Sequence, residues 1–167
     1  CWIRAVKLSK KRGIHPRLCS IHKNVVEIIQ KESVNDERHD YIAGKLWQEV
    51  VLANRPIISC DLWVNELGET SVSELNELKR LDSSSVRMVT DDDGQLTECW
   101  VRWQPRMTLS DSSSSDRHYQ LDYSRGAILF GDGTNGKIPA YSGDTEISID
   151  YSFGGGSMGN LPAGAID

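Results

Sequence analysis

Gly131-Asp132-Gly133-Thr134-Asn135-Gly136-Lys137 is the stretch whose residue types and spacing come nearest to known chemistry. Its first six residues satisfy G-x-G-x-x-G, the dinucleotide pattern, and with Lys137 they match most of the phosphate-binding G-x-x-x-x-G-K. Both patterns work only where a helix starts directly after the glycines, because its free N–H groups and dipole hold the phosphate. Here the chain continues Ile138-Pro139-Ala140-Tyr141-Ser142-Gly143, in which Pro139 and Gly143 frame another turn. Ile138 also stands where Ser or Thr would reach magnesium. The expectation is a bend in a sheet, with no nucleotide or other cofactor. Asp132, flanked by glycines, suits an Asx-type turn in which its carboxylate accepts backbone N–H bonds.

Other candidate chemistries lack their partners. His15, His22, His39 and His118 show no zinc-enzyme spacing, and Cys19-x-x-His22 has no second pair at a usual distance. Serines are abundant, yet no G-x-S-x-G elbow places one on a strained turn. Asp91-Asp92-Asp93-Gly94 lacks the alternating acids and distant glutamate of a calcium loop and reads as a solvated turn. His118 reads as an exposed or hydrogen-bonded sheet residue. These patterns predict neither a catalytic residue nor a metal site.

The elements that carry the glycine stretch are strands. Tyr119, Leu121 and Tyr123 alternate with His118, Gln120 and Asp122, the period of a half-buried strand. Asp122 to Gly126 is a turn signal, and Ala127-Ile128-Leu129-Phe130 suits a strand covered on both faces. Ile147, Ile149 and Tyr151 alternate with Glu146, Ser148 and Asp150 in a third strand. Ten of the 14 glycines fall among and after these strands, seven of them in the loops Gly131 to Gly136 and Gly154 to Gly159, a density that implies backbone shapes other residues reach poorly.

Three blocks in this region, D-R-H-Y-Q-L-D, A-I-L-F-G-D-G-T-N-G-K-I-P and Y-S-F-G-G-G-S-M-G-N-L-P-A-G, resemble the baseplate J-like family. Its members are the wedge proteins of contractile phage tails and related contractile injection systems. Trp2-Ile3-Arg4, Ile21 to Asn24 and Leu62-Trp63-Val64-Asn65-Glu66 agree more weakly; Thr70 to Gly94 carries no resemblance. The resemblance implies a structural protein without turnover, assembled in the bacterial cytoplasm into a phage tail or tail-like particle. It implies contacts with other wedge subunits, with the hub and spike and with sheath-proximal proteins, in a six-fold hetero-oligomer that changes shape to trigger contraction. The positions it marks for assembly are Arg117, Tyr119, Phe130, Gly131, Asp132, Gly133, Gly136 and Pro139, then Gly154, Gly155, Gly156, Gly159 and Asn160. A carbohydrate- or receptor-binding β module is the alternative, and it requires two or three coplanar aromatic rings on one open face.

The 167 residues suffice for one domain or two small ones without metal or disulfides. Trp2, Trp47, Trp63, Trp100 and Trp103 are expected to supply much of the core, and Cys60 and Cys99 read as buried free thiols in strands. No apolar run approaches the roughly 20 residues of a membrane helix. The chain begins at Cys1 and stops within Pro-Ala-Gly-Ala-Ile-Asp, so a piece of a longer polypeptide is expected. Residues 1–26 hold seven basic side chains and no acid, whereas the remainder is strongly acidic. A solvated turn at Lys10-Lys11-Arg12-Gly13, opposite fields that orient neighbouring subunits, and nucleic acid are the three readings; nucleic acid lacks a binding motif.

Strands are expected at Cys1 to Leu8, Leu18 to Val34, Lys45 to Ala53 and around Cys60, Leu62 and Val64, with a polar loop at Asn35 to His39. Val72 to Leu81 is the one expected helix: Ser71 and Glu74 form a capping box, and Val72, Leu75, Leu78 and Leu81 an apolar stripe. Val86 to Thr90 and Leu96 to Trp103 form a hairpin, and Ser110 to Ser115 a flexible linker. The fold expected is mainly β, with antiparallel, sandwich-like sheets, that single helix and long glycine-rich loops. A β-rich subdomain would span 1–109 and a glycine-rich one 116–167.

Overall fold

Strand content dominates because β-branched and aromatic residues fill the alternating positions, and local turn chemistry separates the strands. The computed structural model describes residues 31–42, 44–139 and 145–154. Along it run β1 (Glu32–Tyr41), β2 (Glu49–Val51), β3 (Ile57–Asn65), α1 (Val72–Leu81), β4 (Val86–Thr90), β5 (Leu96–Arg106), β6 (His118–Asp122), β7 (Ala127–Phe130) and β8 (Thr145–Phe153). With 47% strand and 9% helix, the fold is mainly β.

The strands make one sheet in the order β1-β8-β3-β5-β6-β7-β2, with β4 added on β5. Eleven-residue β5 joins its two parts: Trp100 to Trp103 pair with β3, and Gln104 to Arg106 pair with β6. The β5–β6 pairing is parallel, an exception in an otherwise antiparallel sheet. Rather than stacking as two layers, the sheet curls until it is nearly closed. Side chains bridge the remaining seam, with Ala53 N donating to Glu37 Oε1 (3.2 Å) and Ile42 N to Gln48 Oε1 (3.1 Å).

Inside lies one cluster drawn from every strand except β4, with Leu62, Val64, Trp103, Tyr119, Ile128, Phe130, Ile147 and Ile149 at its centre. Residues from both sides of Ser110–Ser115 share it. A smaller cluster under α1 holds Leu75, Val86, Cys99 and Val101. Trp63 and Trp100 are buried on the outer face, where the Arg87 guanidinium lies 3.6 Å from the Trp63 ring and that of Arg38 5.0 Å from Trp100. Trp47 is instead half exposed. Cys60 and Cys99 are free thiols in β3 and β5, Cys99 fully buried and Cys60 partly.

Several expectations change. Asn35 to His39 is not a loop but the middle of β1, where a bulge with Asp36 at φ +56 interrupts the register. Apolar alternation is missing there because charged cross-strand partners replace it: Arg38 pairs with Glu146 and Ser148 donates to Asp36. The strand expected over Lys45 to Ala53 shrinks to Glu49–Val51, since Gly44 and Trp47 both take positive φ. Helix α1 has the expected bounds, yet Val72 and Leu81 are exposed. A three-residue spacing drifts about 60° per step round a helix, so only the middle of the stripe faces the sheet. Ser110–Ser115 is tied down, with Ser112 Oγ 2.9 Å from His118 Nδ1 and Ser113 N donating to Asp116 Oδ2 (2.8 Å). The strand expected at Cys1 to Leu8 and that expected at Leu18 to Val34, up to residue 30, lie outside the described residues, as does the basic segment; Glu32 to Val34 belong to β1.

Candidate functional site beneath the glycine loop

Leaving β7 at Phe130, the chain turns sharply through Gly131–Gly136. Asp132 Oδ1 accepts from Thr134 N (2.8 Å) and Asn135 N (2.7 Å), the expected Asx-type turn, and those amides hold the carboxyl below its usual pKa. Gly133 and Gly136 adopt φ +83° and +90°, and Gly133 N donates to Gly136 O (3.0 Å). No helix starts between Gly131 and Pro139. Lys137, which a phosphate cradle would need free, sends its ammonium inward to Glu66 Oε2 (2.9 Å).

Glu66 is the centre of the arrangement. It follows directly after β3, with its backbone N–H bound to Cys99 O (2.8 Å), and it is only 1% exposed. Its Oε1 accepts from Trp103 Nε1 (2.9 Å) and Arg117 Nε (2.9 Å). Its Oε2 accepts from Arg117 Nη2 (2.7 Å), Lys137 Nζ (2.9 Å) and the Thr70 hydroxyl. Arg117, itself nearly buried, uses Nη1 to reach Glu74 Oε1 (2.8 Å). Ser71 Oγ does cap α1 by accepting from Glu74 N (3.3 Å), while the Glu74 carboxylate is drawn to Arg117. One carboxylate thus ties the end of β3, β5, the start of β6, the chain before α1 and the glycine loop.

Burial alone would raise the Glu66 pKa, but the hydrogen bonds and charge of Arg117 and the charge of Lys137 bring it down to about 2. Because the folded value lies below the unfolded one of 4.5, the stabilisation is complete above that pH and disappears as pH falls towards 2. Its size is about 3 kcal/mol. Urea unfolding between pH 7 and pH 2.5 should show this loss in the wild type and a flatter slope in Glu66→Gln. Parallel slopes for the two proteins would refute it.

Of the residues singled out in sequence, Arg117, Tyr119, Phe130, Gly131, Asp132, Gly133, Gly136 and Pro139 come together here. Tyr119 is fully buried and donates to Cys60 O (3.3 Å), and Pro139 is fully buried too. Phe130 packs edge-on to Tyr41 and Trp103, with centroids 5.5 and 5.7 Å apart. Gly154 ends β8 elsewhere, its N–H bound to Pro56 O (3.2 Å). Gly155, Gly156, Gly159 and Asn160 lie outside the described residues. Sequence reasoning missed Glu66, Thr70 and Trp103 as members of the cluster. An acid two positions past the apolar run Leu62-Trp63-Val64 was the available signal for Glu66.

Comparison with family models, with curated proteins and with solved structures gives no match. The reading of the site rests on its own chemistry. Glu66 is ionised, buried and saturated with donors, which suits a structural tie and not a proton acceptor. Burial pushes the Cys60 thiol up to about 11 and raises that of Cys99, so neither is a ready thiolate. Burial likewise lowers the His118 pKa. Among the described residues no group of three or more His, Cys, Asp or Glu could hold a metal ion, and no helix is long and apolar enough to cross a membrane.

Proposed function

We propose that this chain is a structural part of a contractile-tail or contractile-injection-system baseplate wedge, working through geometry and interfaces without turnover. The observation that carries the reading is the Glu66 tie. The two sequence blocks around Arg117 and Gly131–Lys137 converge on one buried carboxylate, and the third block enters through β8, which pairs with both β1 and β3. Polar groups that could serve catalysis are instead spent holding a frame on which loops keep fixed positions. Such a frame suits neighbouring wedge subunits, the hub and spike and sheath-proximal proteins in a six-fold assembly made in the bacterial cytoplasm.

The carbohydrate-binding alternative finds less support. Trp63, Trp100 and Trp103 are buried, and the half-exposed rings of Trp47 and Tyr123 sit at opposite ends of the β6–β7–β2 ladder.

Electron microscopy of tail particles made with the intact polypeptide tests the proposal. Density for the curled sheet is expected at the base of the tube, and deletion of the gene should leave tubes without baseplates. Baseplates that assemble normally without the polypeptide would overturn the reading.

A further inference from the structure

Asn135 is followed by Gly136, and of the seven asparagines in the chain no other precedes a glycine. Glycine has no Cβ to crowd its amide nitrogen, so that nitrogen can approach the side chain of the residue before it. An asparagine so placed cyclises on its own backbone wherever the chain lets the two groups meet. The closed loop keeps them apart. Asn135 N donates to Asp132 Oδ1 (2.7 Å), and the Asn135 amide is drawn to the same carboxylate, with Nδ2 3.5 Å from Oδ2. Gly136 N points elsewhere, donating to Ser113 O (3.2 Å), while Gly136 O accepts from Gly133 N (3.0 Å). Gly136 is buried, and the chain beyond is fixed by Lys137 N on Asp116 O (2.8 Å) and Lys137 Nζ on Glu66.

We propose that Asn135 is a self-modification site gated by this loop, reacting when Gly131–Lys137 opens and held inert while it is closed. In the open loop Gly136 N gives its proton to solvent base and attacks Asn135 Cγ. The new N–Cγ bond displaces the side-chain nitrogen, which leaves as ammonia, and the product is a cyclic succinimide. Water then opens the ring at either carbonyl, giving aspartate or isoaspartate at that position. Water is the co-reactant, and no electrons change hands.

The modified loop cannot close as before. Isoaspartate routes the main chain through an extra methylene, and the loop has no slack for it: even a Cβ on Gly131 would stand 2.4 Å from Asn135 O and 2.5 Å from Gly136 O. Aspartate instead sets a second carboxylate beside that of Asp132, where like charges repel. Either product loosens the path that carries Lys137 to Glu66. The reaction therefore records loop opening once and without return. Neither the chemistry nor its gate depends on what the chain assembles with.

The test incubates the 167-residue protein in mildly alkaline buffer, folded and in concentrated urea. Ammonia loss is read as the Asn-to-Asp mass gain in the tryptic peptide Gly126–Lys137, and isoaspartate by its separate elution. The folded wild type should react at least about tenfold more slowly than the unfolded chain. Asp132→Ala frees the amides of Thr134 and Asn135 and should raise the folded rate at least about tenfold. Gly44→Ala strains a turn outside the loop and should leave the rate within about twofold, because the opening is local. The reacted fraction, separated by its added charge, should unfold at lower urea than the unreacted protein. The proposal is overturned by a folded wild type that reacts as fast as the unfolded chain, a comparison that needs no variant to fold. It is overturned equally by an Asp132→Ala protein no faster than wild type, by Gly44→Ala accelerating as much as Asp132→Ala, or by a reacted fraction as stable as the unreacted one.

Discussion

Glu66→Ala should lower the free energy of unfolding by about 3–5 kcal/mol, the cost of leaving buried charges without their partner. Arg117 and Lys137 would face each other with no carboxylate between them, and Trp103 Nε1 would lose its acceptor. Set against a typical total of about 5–15 kcal/mol, the loss removes a large fraction of the stability. Glu66→Gln keeps one oxygen for Trp103 and Arg117 but loses the charge, so its cost should fall between wild type and alanine. Replacing Glu66, Arg117 and Lys137 together by Leu, Met and Met should cost less than Glu66→Ala alone, because no orphaned charge remains. Urea unfolding at pH 7 measures all three. A loss under about 1 kcal/mol for Glu66→Ala would show that the tie is not what holds the loop to the sheet.

The second large effect is expected at Gly131. An added Cβ would stand 2.4 Å from Asn135 O and 2.5 Å from Gly136 O, both backbone atoms of the loop that Asp132 closes. Neither can rotate aside as a side-chain tip could, so Gly131→Ala must open the loop and strain the path to Lys137. Overpacking of this kind costs about 3 kcal/mol. Gly44→Ala is the control: its φ is +69° but nothing lies within 4 Å of the added carbon, so only the backbone penalty of about 1 kcal/mol applies. Thermal unfolding of the two variants should separate them clearly. Equal shifts would mean that crowding at Gly131 relaxes at no cost. Coupling between Gly131→Ala and Glu66→Gln in a double-mutant cycle would further tie the loop to the carboxylate.

What was legible in the residues alone is what neighbours along the chain decide. Ser71 caps the helix three residues away at Glu74 N, and Asp91 Oδ1 accepts from Asp93 N and Gln95 N in the hairpin turn. Asp122 does the same for Ser124 and Arg125, as Asp132 does for Thr134 and Asn135. Each is a side chain closing on backbone within four positions, so a short window of sequence holds both partners. The strand periods of β6 and β8 were readable for the same reason, since alternation is a local property of a pleated chain, and β7 was readable as a short unbroken apolar run.

The Glu66 cluster was not readable, because its partners lie 37, 51 and 71 residues away at Trp103, Arg117 and Lys137. The residues after Lys137 argued against a phosphate cradle, but nothing near it in sequence pointed to Glu66 as its counter-charge. The same holds for β1, whose polar sequence becomes a strand only against β8, more than a hundred residues on. It holds as well for the parallel step from β5 to β6 and for the curl that brings β1 near β2. Local patterns specify which segments extend and where they bend. Which strands meet, and which buried charge finds which, is settled by the closing of the sheet around one shared core.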